Sequence, residues 1–448
     1  MMKLFGTSGI RGFYGTEVNE DLALNVGKAM GTLLDGPVTV GMDSRSSGKG
    51  LRHALIAGII SQGNDVYDVG LAPTPTVGIA LQSFGCCAGA VITASHNPPE
   101  YNGIKVWDQK GVAYHSLEAE IERVIDESSY GPSSWDGQGR ILSESASEIH
   151  ISRIEETISL EHEFRVALDC GCGAGSVVSP YLLERMGMNV VSLNCQPSGR
   201  FPRGLEPSCE NLSALSHAVR SYDCDIGIAH DGDADRIGAV DEKGEFIDYD
   251  VLLALMARYE CEQSSSTNPV IVSTVDSSLS LDMYLSDCNA SVYRTKVGDV
   301  ALAQDIVKRD AVFGGEPSGT WIFPSHWLTP DGILAAVKLL SMKDDGYVLA
   351  EERENVPSFS TLRKKIPLAR IDRDRFRSLL LEELATEEYE SLLTIDGIRV
   401  EYADAWALYR FSGTEPLFRI TVEARSADEA RMLMEQATNH VEGVLRKL

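Results

Sequence analysis

Three segments of this 448-residue chain read the same way: a short apolar run rich in β-branched residues, closed by an aspartate and followed by small polar residues. They are Val38-Thr-Val-Gly-Met-Asp43, Arg165-Val-Ala-Leu-Asp169 and Val270-Ile-Val-Ser-Thr-Val-Asp276, with the aspartates 126 and 107 residues apart. Runs of this length and composition are buried strands. Helix-like stretches such as 50–61 follow the first and third. A strand unit recurring at the spacing of a domain limits the chain to a series of related α/β units. The length leaves room for three or four domains of about 100 to 150 residues each.

The apolar character lapses after residue 350, where Glu351 to Asn355 is charged and Pro357-Ser-Phe-Ser360 is linker-like, so a separate last domain is expected from near that point. Sixty-six acids against 40 bases make nucleic acid and anionic membrane poor partners. An anionic substrate would need local positive charge, for which Arg11, Lys105, Arg236, Arg410 and Arg419 are the candidates. The start, Met1-Met-Lys-Leu-Phe-Gly6, has no apolar leader, and no run approaches the roughly eighteen residues of a membrane span, which leads to an expectation of a cytoplasmic protein. Nine cysteines without paired C-x-x-C spacing read as reduced thiols.

Four short constellations carry chemistry. In Thr93-Ala-Ser-His-Asn-Pro-Pro-Glu-Tyr-Asn102, the strand-like run Ala88 to Thr93 leads to Ser95, and the two prolines forbid further strand or helix. This places a hydroxyl able to carry a covalent group on a stiff, exposed loop. His96 adjoins it, but neighbouring side chains on extended backbone point apart, which assigns His96 a supporting role. In His230-Asp-Gly-Asp-Ala-Asp-Arg236, three carboxylates at alternate positions, Asp231, Asp233 and Asp235, can converge on a hard cation such as magnesium or calcium. A calcium hand is excluded by Arg236 at the position that needs glycine and by flanks that read as strands. In Tyr409-Arg-Phe-Ser-Gly-Thr-Glu-Pro-Leu-Phe-Arg419, a cation, two hydroxyls and a glycine have the composition of a phosphate cradle. In Gly314-Gly-Glu-Pro-Ser-Gly319, Glu316 and Ser318 flank a proline, either to read sugar hydroxyls or as a plain turn.

In this order and spacing the four resemble the loops of the α-D-phosphohexomutases: a phosphoserine loop T-A-S-H-N-P, a metal loop D-G-D-A-D-R, a sugar loop G-E-x-S-G and a phosphate loop R-x-S-G-T-E-P. Phe5-Gly-Thr-Ser-Gly-Ile-Arg-Gly12 also resembles that family's opening segment. The resemblance spans nearly the whole chain. It implies four domains around a central cleft: three related α/β mixed-sheet domains at 1–150, 151–248 and 249–357, and a smaller α+β domain at 358–448 that closes over substrate.

The resemblance further implies a mutase that moves phosphate between O6 and O1 of a hexose through phosphorylated Ser95, with Mg2+ and a hexose 1,6-bisphosphate as intermediate and activator. Ser95, Asp231, Asp233 and Asp235 would hold the metal. Arg11 and Lys105 would meet the transferred phosphate, Lys105 as proton carrier, and Arg236 would join them in neutralising its oxygens. Glu316, Ser318, Arg410, Ser412, Gly413, Thr414 and Arg419 would bind substrate, in a monomer or homodimer.

Two positions depart from the mannose and glucose branch, which carries histidine at both: Thr320 after Ser318-Gly319, and Asp299 in Lys296-Val-Gly-Asp299. The second resembles phosphoglucosamine mutases, where a carboxylate could favour an ammonium-bearing sugar. Helix capping explains Asp299 equally well, since Val300 to Lys308 reads as helical. Glucosamine 6-phosphate is the expected substrate, with mannose or glucose phosphate next. A metal-dependent sugar phosphatase is the remote alternative.

Overall fold

The computed structural model describes residues 3–6, 8–112, 115–368, 371–411 and 417–448. Its strands, in chain order, are β1 (Ile10–Phe13), β2 (Val38–Met42), β3 (Val66–Leu71), β4 (Ala88–Ile92), β5 (Tyr101–Asp108), β6 (Ile141–Ser143), β7 (Arg165–Asp169), β8 (Asn189–Leu193), β9 (Ile226–His230) and β10 (Ile237–Val240). They continue with β11 (Val270–Thr274), β12 (Ser291–Thr295), β13 (Phe313–Gly315), β14 (Trp321–Ile322), β15 (Ser360–Pro367), β16 (Ser391–Leu393), β17 (Ile398–Tyr402), β18 (Ala405–Phe411) and β19 (Leu417–Ala424).

These strands form four sheets. The first has the order β1-β5-β4-β2-β3-β6, the second β10-β9-β7-β8, the third β12-β11-β13-β14 and the fourth β15-β19-β18-β17-β16. The recurring aspartate-terminated strands β2, β7 and β11 each pair in parallel with a strand on either side, which is why all three read as buried apolar runs. On one side of each lies a strand that turns back antiparallel on the next: β4 on β5, β9 on β10 and β13 on β14. The three units therefore share one strand order and are mixed sheets. The fourth sheet is antiparallel throughout, and it too contains such a hairpin, β18 on β19. All four chemistry-bearing segments are the connections of these four hairpins.

The first unit has its own core, built where the helices Glu20–Leu33 and Gly48–Ile60 pack on its sheet. The second and third units share one continuous core running from Ile151 to Val356, with the helices Tyr249–Gln263 and Gly332–Asp344 buried inside it. The last sheet packs on the helices Arg373–Leu384 and Ala427–Lys447, the latter opened by a capping box between Ser426 and Glu429. The charged residues Glu351 to Asn355 complete the helix Leu349–Asn355, where Leu349 and Ala350 are buried and Arg353 pairs with Asp241 at 2.9 Å.

Candidate active site

Ser95 follows β4 by three residues and has left-handed backbone, φ 49°. This conformation is unfavourable for a residue with a Cβ and persists only where surrounding groups enforce it. Those groups are visible. Thr93 Oγ1 accepts the Ser95 N–H at 2.8 Å, and Arg45 donates to the carbonyls of Ser95 (2.8 Å), Asn97 (2.6 Å), Pro98 (2.6 Å) and Tyr101 (2.9 Å). Arg45 is fixed in turn by Asp43, at the end of β2, through Nε at 3.0 Å.

The turn at Ser95 has two consequences that reverse sequence expectations. The hydroxyl lies at the floor of the site with 1% exposure, not on an exposed loop. The serine and His96 side chains meet, with Ser95 Oγ 3.1 Å from His96 Nδ1, because the backbone between them is not extended.

The aspartate loop joins β9 to β10. Ala234, with φ 57°, turns the loop so that the carboxylates of Asp231, Asp233 and Asp235 come together, their oxygens within 4.8 Å of one another. Gly232 is needed for contact with the serine loop, since a Cβ there would lie 2.5 Å from the Ser95 carbonyl oxygen. Across this contact Ser95 Oγ donates to Asp231 Oδ2 at 2.6 Å. Lys105, on β5, places Nζ 3.0 Å from Asp233 Oδ2 and 2.5 Å from Asp235 Oδ2. Thr74 Oγ1 gives Asp233 Oδ2 a further hydrogen bond at 2.5 Å.

Burial and the neighbouring acids push the Asp231 carboxyl well above the ordinary range. Asp235 is raised by the same causes, burial first. Burial works against Lys105, but Asp233 and Asp235 outweigh it and hold the ammonium firmly charged. Burial and nearby Arg236 and Arg11 push His96 down to about 2, so its imidazole is neutral.

The site fits a divalent cation. Oδ1 of Asp233 and Oδ1 of Asp235 are buried without a hydrogen-bond partner among the described residues, and buried carboxylate oxygens without donors call for a cation. An all-oxygen donor set that includes the Ser95 hydroxyl suits magnesium.

Basic groups rim this cluster. Arg11 donates to Asn97 Oδ1 at 3.2 Å and keeps a buried Nε without a hydrogen-bond partner among the described residues. Arg236 sends Nη1 to both oxygens of Glu206, at 2.7 and 2.9 Å, and Glu206 lies 3.6 Å from His96 Nε2.

The sugar loop meets the Asp299 segment. Glu316 Oε1 accepts the Gly298 N–H at 2.7 Å, and Ser318 Oγ donates to Glu316 Oε2 at 3.1 Å. Burial and Asp276 raise Glu316 to about 7. Asp299 opens the helix Asp299–Arg309 but makes no capping bond; the cap residue is Gly298, and Asp299 Oδ1 accepts from Ser8 Oγ at 3.2 Å instead. The capping explanation for this carboxylate is therefore overturned.

In the last sheet Arg410 and Arg419 stand directly opposite each other, and Arg410 Nη2 pairs with Asp396 at 2.8 Å. Like charges in facing positions are unfavourable unless an anion offsets them. Ser412, Gly413 and Thr414 lie outside the described residues.

Comparison with known proteins matches this architecture throughout. Residues 2–131, 146–244 and 248–358 match α/β/α domains I, II and III of phosphoglucomutase/phosphomannomutase, and residues 365–440 match its C-terminal domain. The chain belongs to the phosphoglucomutase/phosphomannomutase family. A probable phosphoglucosamine mutase of Thermococcus kodakarensis is 48% identical over 98% of each chain. Another from Pyrococcus furiosus is 46% identical over 100% of this chain and 99% of its own. A phosphoglucomutase/phosphomannomutase family protein of Burkholderia thailandensis superposes with a TM-score of 0.88 at 25% identity, over 99% of this chain and 97% of that one.

Within this phosphohexomutase fold, sequence reasoning missed the residues that position the loops. Arg45 is signalled only by its place two residues after a strand-end aspartate. Arg203, which donates to Asp169 Oδ2 at 3.0 Å and to the His230 carbonyl at 2.7 Å, and Glu206 carry no local signature.

Proposed function

We propose that this chain is a phosphoglucosamine mutase, interconverting glucosamine 6-phosphate and glucosamine 1-phosphate through phosphorylated Ser95. The observation that carries the reading is the Ser95 hydroxyl at 2.6 Å from Asp231, inside a cluster of three carboxylates, two of which pair with Lys105. A hydroxyl so placed serves phosphoryl transfer, which depends mainly on positioning and charge neutralisation.

In the forward direction the phosphate on Ser95 passes to O1 of bound glucosamine 6-phosphate: the Ser95 Oγ–P bond breaks, an O1–P bond forms, and the proton that O1 loses is balanced by the one the Ser95 oxygen gains. The resulting 1,6-bisphosphate turns over. Its O6 phosphate then returns to Ser95 Oγ, leaving glucosamine 1-phosphate and the enzyme as it began. Asp231, Asp233 and Asp235, with Ser95, would hold Mg2+, which supplies charge neutralisation for the phosphate oxygens. Arg11 and Arg236 add positive charge beside it, and Lys105, which Asp233 and Asp235 hold as an ammonium, would relay the proton by giving one to the departing serine oxygen and taking up the one that O1 loses. Neutral His96 orients the serine oxygen. Arg410, Arg419 and the segment Ser412, Gly413, Thr414 would receive the phosphate that is not reacting, while Glu316 and Ser318 would meet sugar hydroxyls.

The amino sugar is supported by relatives named as probable phosphoglucosamine mutases along their whole length and by Asp299, whose carboxylate is spared from capping. The four domains are assigned to 1–150, 151–248, 249–357 and 358–448, and the enzyme to the cytoplasm.

The test compares kcat/KM for glucosamine 6-phosphate, mannose 1-phosphate and glucose 1-phosphate, with Mg2+ and a catalytic amount of the matching bisphosphate, against Ser95→Ala. A preference of about tenfold for the amino sugar, about 1.4 kcal/mol of discrimination, is expected. Faster turnover of the neutral sugars would replace the substrate, and phosphate release without isomerisation would replace the reaction.

A further inference from the structure

A second group of metal-ligating side chains lies behind the aspartate loop, outside the chemistry above. His150 (0% exposed), His326 (7%) and Asp331 (4%) bring one ligand atom each to within 4.8 Å of the others. His150 comes from the helix Ser147–Glu155, His326 from the turn that follows β14, and Asp331 from the cap of the helix Gly332–Asp344.

Each side chain is held as a ligand would be. Asp331 Oδ1 accepts the Ile333 and Leu334 N–H groups, both at 2.9 Å, which leaves Oδ2 to face His150 Nε2 at 3.0 Å. His150 Nδ1 lies 2.9 Å from Thr76 Oγ1, so with its proton there the ring turns its Nε2 lone pair toward the cluster. Metal-bound histidines are oriented in this way by a partner on the far nitrogen. An ordinary His–Asp hydrogen bond accounts for that pair alone. It does not account for His326, whose Nε2 is buried with no hydrogen-bond partner among the described residues.

We propose that His150, His326 and Asp331 bind a zinc-class divalent ion that pins the helix Ser147–Glu155 to the third α/β unit behind the aspartate loop. Two imidazoles and one carboxylate select a borderline ion over magnesium, which takes oxygen donors. Zinc bonds of about 2.0 Å put neighbouring ligand atoms about 3.3 Å apart, so the His150–Asp331 pair already stands near one edge of a zinc tetrahedron.

The location gives the ion a purpose. Thr76 belongs to the helix Thr74–Ser83, whose first residue bonds Asp233, and Gly332, next to Asp331, donates to the Ala234 carbonyl at 3.1 Å. An ion here would fix both supports of the loop that carries Asp231, Asp233 and Asp235.

The experiment uses the full chain, stripped by chelator and then given Zn2+ or Co2+ in excess Mg2+, which occupies the all-oxygen site. After desalting, the wild type is expected to retain about one equivalent of zinc and to melt higher with it. His326→Gln should retain none and gain no stability, while melting like the wild type when both are metal-free, since His326 Nε2 gives up no hydrogen bond. Equal zinc retention by the two proteins, or none by the wild type, would overturn the proposal. The cobalt spectrum of the unmutated chain decides independently of any variant: intense bands of a tetrahedral, nitrogen-ligated ion support the site, and a weak octahedral spectrum sinks it.

Discussion

Arg45 Nη2 donates to the Ser95 carbonyl at 2.8 Å, and with that bond a side chain from the end of one strand sets the backbone that aims the hydroxyl. The device recurs. Arg203 holds the His230 carbonyl at the start of the aspartate loop, and Arg399, from the last domain, holds the carbonyls of Val275 (2.7 Å) and Ser277 (2.8 Å) after β11. In all three units a guanidinium, which offers five donors in a planar fork, satisfies carbonyls in or beside the loop that follows a strand.

Replacing Arg45 by alanine should leave several carbonyls buried without partners and the buried Asp43 carboxylate without its counter-ion, held only by the Thr93 hydroxyl and the residue 45 N–H. A loss of about 3–5 kcal/mol is expected, read as a lower urea midpoint. Arg45→Lys should recover part of that stability but little activity, because an ammonium cannot span four carbonyls. Activity that tracks stability in both variants would mean that the residue does not aim Ser95.

Lys105→Met removes the ammonium from Asp233 and Asp235. In chelator the variant should melt well below the wild type, since breaking a buried pair costs about 3–5 kcal/mol. Added Mg2+ should raise its melting temperature more than that of the wild type, because the ion no longer competes with Nζ. Equal Mg2+ increments in the two proteins would rule out a shared cation position.

Glu316 is raised to about 7 by burial and Asp276. A carboxyl with a raised native pKa binds its proton more tightly folded than unfolded, so its contribution is complete at low pH and is lost as pH rises from its ordinary value to about 7. The loss amounts to about 3 kcal/mol. Glu316→Gln keeps an acceptor for the Gly298 N–H and should be more stable than wild type at pH 8 and equal near pH 4. Asp250, raised to about 7 by burial, should leave a similar slope in the variant. Denaturant titrations at a series of pH values read both.

Asp299→Asn should leave thermal stability within about 0.5 kcal/mol, as the carboxylate caps nothing. Its kcat/KM for glucosamine 6-phosphate should fall about tenfold relative to glucose phosphate. An unchanged ratio would remove Asp299 from sugar selection.

Sequence reading reached the three related units because strand burial is written locally: β2, β7 and β11 sit between parallel neighbours, and such strands are apolar on both faces. It reached Asp231, Asp233 and Asp235 because alternate acids flanked by apolar strands leave few other uses. It misplaced His96, since nothing in Ser-His announces a left-handed serine, and it left Asp299 open, since a cap and a free carboxylate look alike before the helix start is known. Glu206 and Arg45 stayed invisible because each acts on residues far along the chain.

The amino-acid sequence by itself determined that the Ser95 hydroxyl, the carboxylates of Asp231, Asp233 and Asp235, and Arg236 stand in loops that follow apolar strands, because strand, turn and ligand chemistry depend on neighbours a few residues away. Only the tertiary structure decided that Ser95 Oγ meets Asp231 across 136 residues, that Lys105 neutralises Asp233 and Asp235, and that Asp299 faces Ser8 across 291. Those relationships come from packing one sheet against another, and the energy of a buried charge depends on what that packing places beside it.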